Sequence, residues 1–333
     1  MSGIERVAIA GSGAFGTALA VVAAQAGRRA TLFARDAEQA RIIASTHQNI
    51  RHLPGLKLPA EIEVTSDPLA FGNADVVILA APAQATRALA GLLAKNIREG
   101  TPVIAAAKGI ERETGKLQTQ IVEEIVPHAV PAVLSGPGFA EEIARGLPTA
   151  VTIAAADIRL ARELTAALAT DTFRPYAGDD PIGVELGGAI KNVLAIACGV
   201  VAGRRLGESA RAALIARGLA EMMRLGGALG ARPETFMGLS GLGDLVLTAT
   251  GTHSRNLKFG IALGEGHSAA ALLGPGEPLV EGAHTARVAA QIARRLNVDA
   301  PILSAIADVI DGIVSVDVAI AGLLARPLTS ELV

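Results

Sequence analysis

A few charged side chains stand out because their surroundings carry no other charge. Lys191 is the only charged residue between Gly187 and Gly203, in the run Gly-Gly-Ala-Ile-Lys-Asn-Val-Leu-Ala-Ile-Ala. A lysine on a largely buried helix loses solvation, which lowers its pKa and fits it for proton transfer. A lysine that snorkels its ammonium out to water would give the same sequence pattern. Asp244, in Gly-Leu-Gly-Asp-Leu-Val-Leu-Thr, is the only charge from Thr235 to Thr252. It reads either as a helix N-cap or as the partner of a catalytic cation or substrate hydroxyl. Lys108 follows the apolar run Val103–Ala107. Ligands of open parallel sheets bind beyond the carboxyl ends of strands, which is where Lys108 would sit, unless it is simply a surface lysine. Arg255, between Ser254 and Asn256 at an expected helix start, could form a phosphate cradle with free backbone N–H groups. Ser254 could cap that helix at the same time.

Near the N-terminus, Val-Ala-Ile-Ala leads into Gly11-Ser12-Gly13-Ala14-Phe15-Gly16. In this G-x-G-x-x-G pattern Gly11 permits a tight turn, Gly13 admits a pyrophosphate to the backbone, and Gly16 allows close helix–strand packing. The free N–H groups and dipole of the following helix favour phosphate. A second strand ends in Leu32-Phe33-Ala34-Arg35-Asp36. An acid at that point takes the ribose hydroxyls of NAD, while an arginine accommodates the extra phosphate of NADP. With Arg35 in the first position, NADP is slightly favoured over NAD, though both residues also suit a solvated helix start.

These residues need elements to position them. Strands are expected at Arg6–Ala10, Ala30–Arg35, Val76–Ala81, Val103–Ala107, Ala132–Ser135 and Ala150–Ala155. Helices are expected at Phe15–Gln25, Ala37–Thr46, Gln84–Ile97, Leu117–Ile125 and Phe139–Arg145. Continuous apolar strands alternating with helices imply a doubly wound, Rossmann-like parallel sheet. Near Tyr176 the pattern changes, and after Pro181 the chain reads as helical, with long segments at Pro181–Arg205, Ser209–Leu229 and Gly282–Leu296. The expected organisation is a dinucleotide-binding domain over 1–180 and an all-helical substrate and catalytic domain over 181–333.

Composition removes several other functions. The chain has 333 residues, 50% hydrophobic but only 2% aromatic, with a formal net charge of -2. Disorder does not fit such a composition. There is no basic excess to neutralise phosphates and little aromatic surface to stack bases, so nucleic acid is not an expected partner. Mean hydropathy is +0.43. The best membrane candidate, Ala305–Ala325, carries Asp308, Asp311 and Asp317, and the run from Asn192 to Gly203 is too short, so no span is expected. One cysteine, Cys198, suits a reducing compartment and reads as a buried small hydrophobe. No secretory leader is apparent, and a complete cytoplasmic chain is expected. The six histidines lack zinc-ligand spacing, and no metal is implied. Ala/Gly-rich helices in the second half would suit either a homodimer or packing within the chain.

Taken together, the ordered motifs resemble the bacterial NAD(P)-dependent glycerol-3-phosphate dehydrogenases over nearly the whole length. They comprise the Gly11–Leu19 loop, Ala107-Lys108-Gly109-Ile110-Glu111, Ser135-Gly136-Pro137-Gly138-Phe139-Ala140, Leu186-Gly187-Gly188-Ala189-Ile190-Lys191-Asn192, Gly241-Leu242-Gly243-Asp244-Leu245, Ser254-Arg255-Asn256 and Val280-Glu281-Gly282. The resemblance implies reversible reduction of dihydroxyacetone phosphate to sn-glycerol 3-phosphate, a glycerophospholipid precursor, with Lys191 as general acid/base. It places Lys108, Gly136, Gly138, Lys191, Asp244, Ser254, Arg255 and Asn256 against the substrate. Ala14, Phe15, Arg35, Lys108, Ala140, Arg255, Leu279 and Glu281 fall at cofactor-contact positions, beside Gly11, Gly13 and Gly16. The chain departs from the family in having Gly138 where Thr or Ser is usual, and Ala14 in place of a common Ser. The rival readings are another two-domain hydroxyacid dehydrogenase, which would need a carboxylate clamp, and a non-catalytic NAD(P) sensor, which would not need Lys191.

Overall fold

A computed structural model describes residues 3–328 and 330; the outermost residues of the two expected domains lie outside this range. Eight strands form one sheet: β1 (Arg6–Ala10), β2 (Arg29–Phe33), β3 (Glu63–Thr65), β4 (Val76–Leu79), β5 (Pro102–Ala105), β6 (Val130–Ser135), β7 (Thr149–Ala155) and β8 (Phe173–Gly178). Their order is β3-β2-β1-β4-β5-β6-β7-β8. All neighbours run parallel except β6 and β7, which pair antiparallel from Ala132↔Ala155 to Ser135↔Thr152. Helices α1 (Ala14–Gln25), α2 (Ala37–Thr46), α3 (Thr86–Leu93), α4 (Gln118–Ile125), α5 (Ala140–Ala144) and α6 (Ile158–Leu168) alternate with the strands. Strand order reverses between β1 and β4, and the crevice beyond their carboxyl ends is where open sheets of this kind take ligands.

The expected α/β architecture therefore stands, with corrections at its edges. Two strands were absent from the sequence reading, and the sheet is not wholly parallel. β3 has only three residues. β8 is an edge strand with alternating burial and contains Pro175, tolerable at an edge because its missing N–H is not needed there. The helix expected over Gln84–Ile97 has 3-10 turns at both ends, leaving α3 in the middle.

From Pro181 onward the chain is helical: α7 (Pro181–Gly203), α8 (Glu208–Ala228), α9 (Pro233–Phe236), α10 (Asp244–Thr250), α11 (Arg255–Gly264), α12 (Ala269–Leu272), α13 (Glu281–Arg295), α14 (Pro301–Ile310) and α15 (Val316–Leu324). Asp180 caps α7 through Gly183 N–H at 2.9 Å, and Pro181 takes the first position, where a missing N–H costs nothing. Apolar residues cover every face of α7, so it must be buried on every face. It is the axis around which the other helices pack. By length and composition α7 is also the one helix among the described residues that could cross a membrane, but 89% of its apolar window is buried inside the protein. Of the two segments weighed on hydropathy, Ala305–Ala325 is two helices broken by a turn, whereas Asn192–Gly203 is the second half of one long helix.

The small residues of α7 and α11 are used within the chain. A Cβ at Gly199 would lie 2.3 Å from the Leu257 carbonyl oxygen, and one at Gly260 would lie 2.0 Å from that of Ile196. Glycines at four-residue spacing on both helices let their backbones touch. Because the obstacle is backbone and cannot rotate away, Gly260→Ala should destabilise the protein by about 1–3 kcal/mol. Equilibrium denaturation should show this as a lower midpoint at unchanged slope; an unaffected midpoint would contradict the close packing.

Candidate active site

The carboxyl ends of β1, β4, β5 and β6 and the first turns of α10, α11 and α13 enclose a cavity of about 620 Å³. At its floor the isolated charges of the sequence meet. Asp244 is 1% exposed, and its two carboxylate oxygens divide between two lysines. Lys191 Nζ donates to Oδ1 at 2.8 Å and Lys108 Nζ donates to Oδ2 at 2.7 Å. Lys191 also donates to Thr248 Oγ1 at 2.7 Å, and Lys108 to the Gly136 carbonyl at 2.7 Å. An ammonium has three N–H donors. Each lysine thus has one beyond those two bonds, and both lysines line the cavity.

Two open readings are decided here. Asp244 does not cap a helix, since it is the first residue of α10 and its oxygens face the lysines. Lys191 does not snorkel: it is 6% exposed. Burial lowers its pKa to about 8, with Lys108 adding to the shift and Asp244 opposing it. Burial pulls the Asp244 carboxyl upward, but the two lysines outweigh this and hold it below its ordinary range. Cys198 is buried, and burial pushes its thiol up to about 12, which suits the inert reading.

The other expected residues are brought together in part. Gly13, Ala14, Phe15, Gly138, Ala140, Ser254, Arg255, Asn256, Leu279 and Glu281 line the same cavity as Lys108, Lys191 and Asp244. Gly11, Gly16 and Gly136 do not line it, and Arg35 stands exposed past the end of β2, also outside the cavity wall. Asp36 caps α2 by accepting from the Glu38 and Gln39 N–H groups. Ser254 caps α11 by accepting from Leu257 N–H at 3.1 Å, so the cap is real, and the residue also lines the cavity. At Gly138 a Cβ would come within 2.9 Å of Ile143 Cδ1 and 3.1 Å of Thr149 Cγ2, so these two side chains occupy the space a larger residue would need.

The cavity suits a dinucleotide. Gly11 has φ +120°, and a Cβ there would lie 2.5 Å from the Ala80 carbonyl oxygen. A Cβ at Gly16 would lie 1.9 Å from the Gly11 oxygen, whereas Gly13 faces open space. No side chain caps α1, and its first turn carries no acid, so its N–H groups are open to an anion. At the far side Glu281 accepts from Ala83 N–H through Oε1, while its buried Oε2 has no hydrogen-bond partner. Burial raises that carboxyl above its usual range.

Two family models cover most of the chain: the NAD-dependent glycerol-3-phosphate dehydrogenase N-terminus over residues 6–161 and its C-terminus over 180–321. The chain belongs to this family of oxidoreductases. It is 53% identical over 331 residues to the glycerol-3-phosphate dehydrogenase (NAD(P)+) of Bradyrhizobium diazoefficiens, covering 99% of this chain and 100% of that protein. The protein of the same name from Parvibaculum lavamentivorans is 49% identical over 327 residues, covering 98% of each. The crystal structure of glycerol-3-phosphate dehydrogenase from Coxiella burnetii superposes with a TM-score of 0.90 at 34% identity, over 97% of this chain and 99% of that one.

Within this member of the dehydrogenase family, several supporting residues escaped the sequence reading. Thr248, four residues after Asp244, lies on the same helical face, and that spacing was the available signal. Asn192 donates to the Lys108 carbonyl at 3.1 Å and accepts from Asn256 Nδ2 at 2.9 Å, and Asn256 in turn accepts from Gly282 N–H. Asn49 reaches back to Ser12 O and Thr17 Oγ1, both at 2.8 Å, bracing the glycine loop from a segment with no motif of its own.

Replacing Asp244 by Asn removes the one interaction that raises the Lys191 pKa and leaves two ammonium groups facing each other. The Lys191 pKa should therefore drop below about 8. The pH dependence of its acylation by an amine-reactive reagent measures this, and an unchanged or higher midpoint would contradict the electrostatics.

Proposed function

We propose that this chain is an NAD(P)-dependent sn-glycerol-3-phosphate dehydrogenase that works by lysine acid/base catalysis. It reduces dihydroxyacetone phosphate reversibly and supplies glycerol 3-phosphate for glycerophospholipid synthesis. The observation that carries this reading is the Lys108–Asp244–Lys191 array at the floor of a cavity whose rim holds the glycine loop. When bound, the nicotinamide supplies hydride to C2 of the ketone. Lys191 donates a proton to the C2 oxygen, and Lys108 stabilises the negative charge that develops there. Asp244 and Thr248 aim the Lys191 ammonium. Arg255, with Ser254 and Asn256, holds the substrate phosphate at the start of α11, where backbone N–H groups also point. With these cations around the oxygen, the reaction needs no metal. Among the described residues no group of three or more His, Cys, Asp or Glu is placed to bind one.

In this reading residues up to 180 hold most of the dinucleotide and supply Lys108, and those from 181 supply the acid/base lysine, the phosphate contacts and the cofactor contacts of Arg255, Leu279 and Glu281. Exposed Arg35 supports NADP over NAD, since the adjacent Asp36 carboxylate is engaged by the α2 amides. The small-residue faces of α7 and α11 no longer argue for a homodimer, because each covers the other.

Initial rates with dihydroxyacetone phosphate and NADPH or NADH test the assignment; preference for a hydroxyacid substrate would refute it. Lys191→Met should abolish turnover yet leave NADPH binding intact. The chain has no Trp, so reduced-cofactor fluorescence reports binding with little interference. Near-normal rates in this variant would remove Lys191 from the role of acid.

A pH profile gives an independent check. Reduction requires the protonated lysine, so its kcat/KM should fall as pH rises through about 8, while glycerol 3-phosphate oxidation requires the neutral amine and should rise through the same value. Profiles with no inflection near this pH would contradict the lysine mechanism.

A further inference from the structure

We infer that Glu185 is a positioning residue: it ties the loop carrying Lys108 to the helix carrying Lys191. This rests on the reading of those two lysines as the groups that face the carbonyl. Glu185 and Lys191 are the only charged residues of α7, six positions apart, or about 9 Å along the axis. They point to different sides of the helix. Glu185 is 4% exposed and lies outside the cavity wall. Its Oε1 accepts from Thr119 N–H at 2.9 Å and its Oε2 accepts from Thr119 Oγ1 at 2.5 Å.

Thr119 is in the first turn of α4, whose own N-cap position is Leu117 and offers no side-chain acceptor. Glu185 supplies that acceptor from α7. The segment before α4 descends from β5 and contains Lys108. It is closed on itself by Gln118 Nε2 donating to the Gly109 carbonyl at 2.9 Å. At its other end Asn192, also on α7, donates to the Lys108 carbonyl. One helix therefore grips this loop twice, at Lys108 and at Thr119, and the same helix presents Lys191. The spacing between the two ammonium groups across Asp244 follows from that double grip.

Fold stability alone does not explain a carboxyl here. Burial pushes Glu185 up to about 7, so ionising it works against the folded state near neutral pH, and its hydrogen-bond partners are neutral. A shift of the Lys108 loop by one ångström would suffice to misalign a reacting group.

The test combines kinetics with amide hydrogen exchange in Glu185→Ala, Glu185→Gln and Thr119→Val. Glu185→Ala should lower kcat by about 10- to 100-fold, leave KM for NADPH unchanged, and speed exchange selectively over residues 106–119. Glu185→Gln, which can still accept from Thr119 N–H and donate to its hydroxyl, should stay within about threefold of the parent. Thr119→Val, which keeps the N–H partner, should fall in the same direction by less, and it serves if the Ala variant does not fold. On a Lys108→Ala background, Glu185→Ala should have little further effect, because the group it positions is gone.

Parent kcat with unchanged exchange in Glu185→Ala would overturn the inference. So would equal damage in the Gln variant, uniformly faster exchange throughout the protein, or a full additional loss on the Lys108→Ala background. Failure of the underlying reading looks different: the parent enzyme would not reduce dihydroxyacetone phosphate, while exchange over 106–119 would still report on the tether.

Discussion

The site depends on one buried carboxylate held between a buried lysine, Lys191, and a half-buried one, Lys108. Desolvating any of the three groups alone would be prohibitive, and a buried pair is rarely stabilising in net terms. With both lysines protonated the array carries one positive charge more than Asp244 can neutralise, in a place water scarcely reaches. Burial lowers the Lys191 pKa to about 8, and the second ammonium, Lys108, adds to that shift while Asp244 opposes it. Under the proposed function, the surplus charge of the array also makes it a preorganised receptor for negative charge developing on a carbonyl oxygen. Asp244 thus has two opposing duties: it keeps both ammonium groups in the protein, and it must not neutralise them fully.

The rest of the structure can be understood as holding this array at the mouth of a nucleotide crevice. The sheet brings Gly13 and Lys108 to the same edge from β1 and β5. Helix α7 delivers Lys191 from the opposite side, and α10 delivers Asp244 and Thr248 one turn apart. Long-range hydrogen bonds then fix these bodies together. The chain of amides from Lys108 through Asn192 and Asn256 to Gly282 joins the Lys108 loop to α7, α11 and α13 without adding charge. Neutral links are the economical choice beside a triad whose balance of charge sets its chemistry.

How much of this was legible in the sequence follows from the range of each interaction. The glycine loop is a local motif, and its three positions have separate steric reasons that survive in the structure. The isolated charges were legible because a charge in an apolar run needs a partner, whatever that partner is. The identity of the partner was not legible: Asp244 lies 53 residues from Lys191 and 136 from Lys108, and no periodicity connects them. The antiparallel β6–β7 pair and the edge strand β8 were hidden for a related reason, since strand direction and pairing are tertiary facts. Glu185 was overlooked because its partner is a backbone N–H and a hydroxyl, which leave no complementary charge to find.

The apolar character of α7 links the overall hydropathy to the chemistry. A helix with one polar face would let Lys191 reach water, and its pKa would return toward the ordinary lysine range. A helix covered on all sides instead makes the ammonium donate its hydrogen bonds to Asp244 and Thr248. The composition that makes α7 long and apolar enough to cross a membrane is therefore the composition that the proposed proton-donating role of Lys191 requires. The same reasoning accounts for the glycines facing α11. A core helix enclosed this fully needs neighbours at backbone contact, because larger side chains between the axes would push α11, and with it Ser254, Arg255 and Asn256, away from the cavity they line.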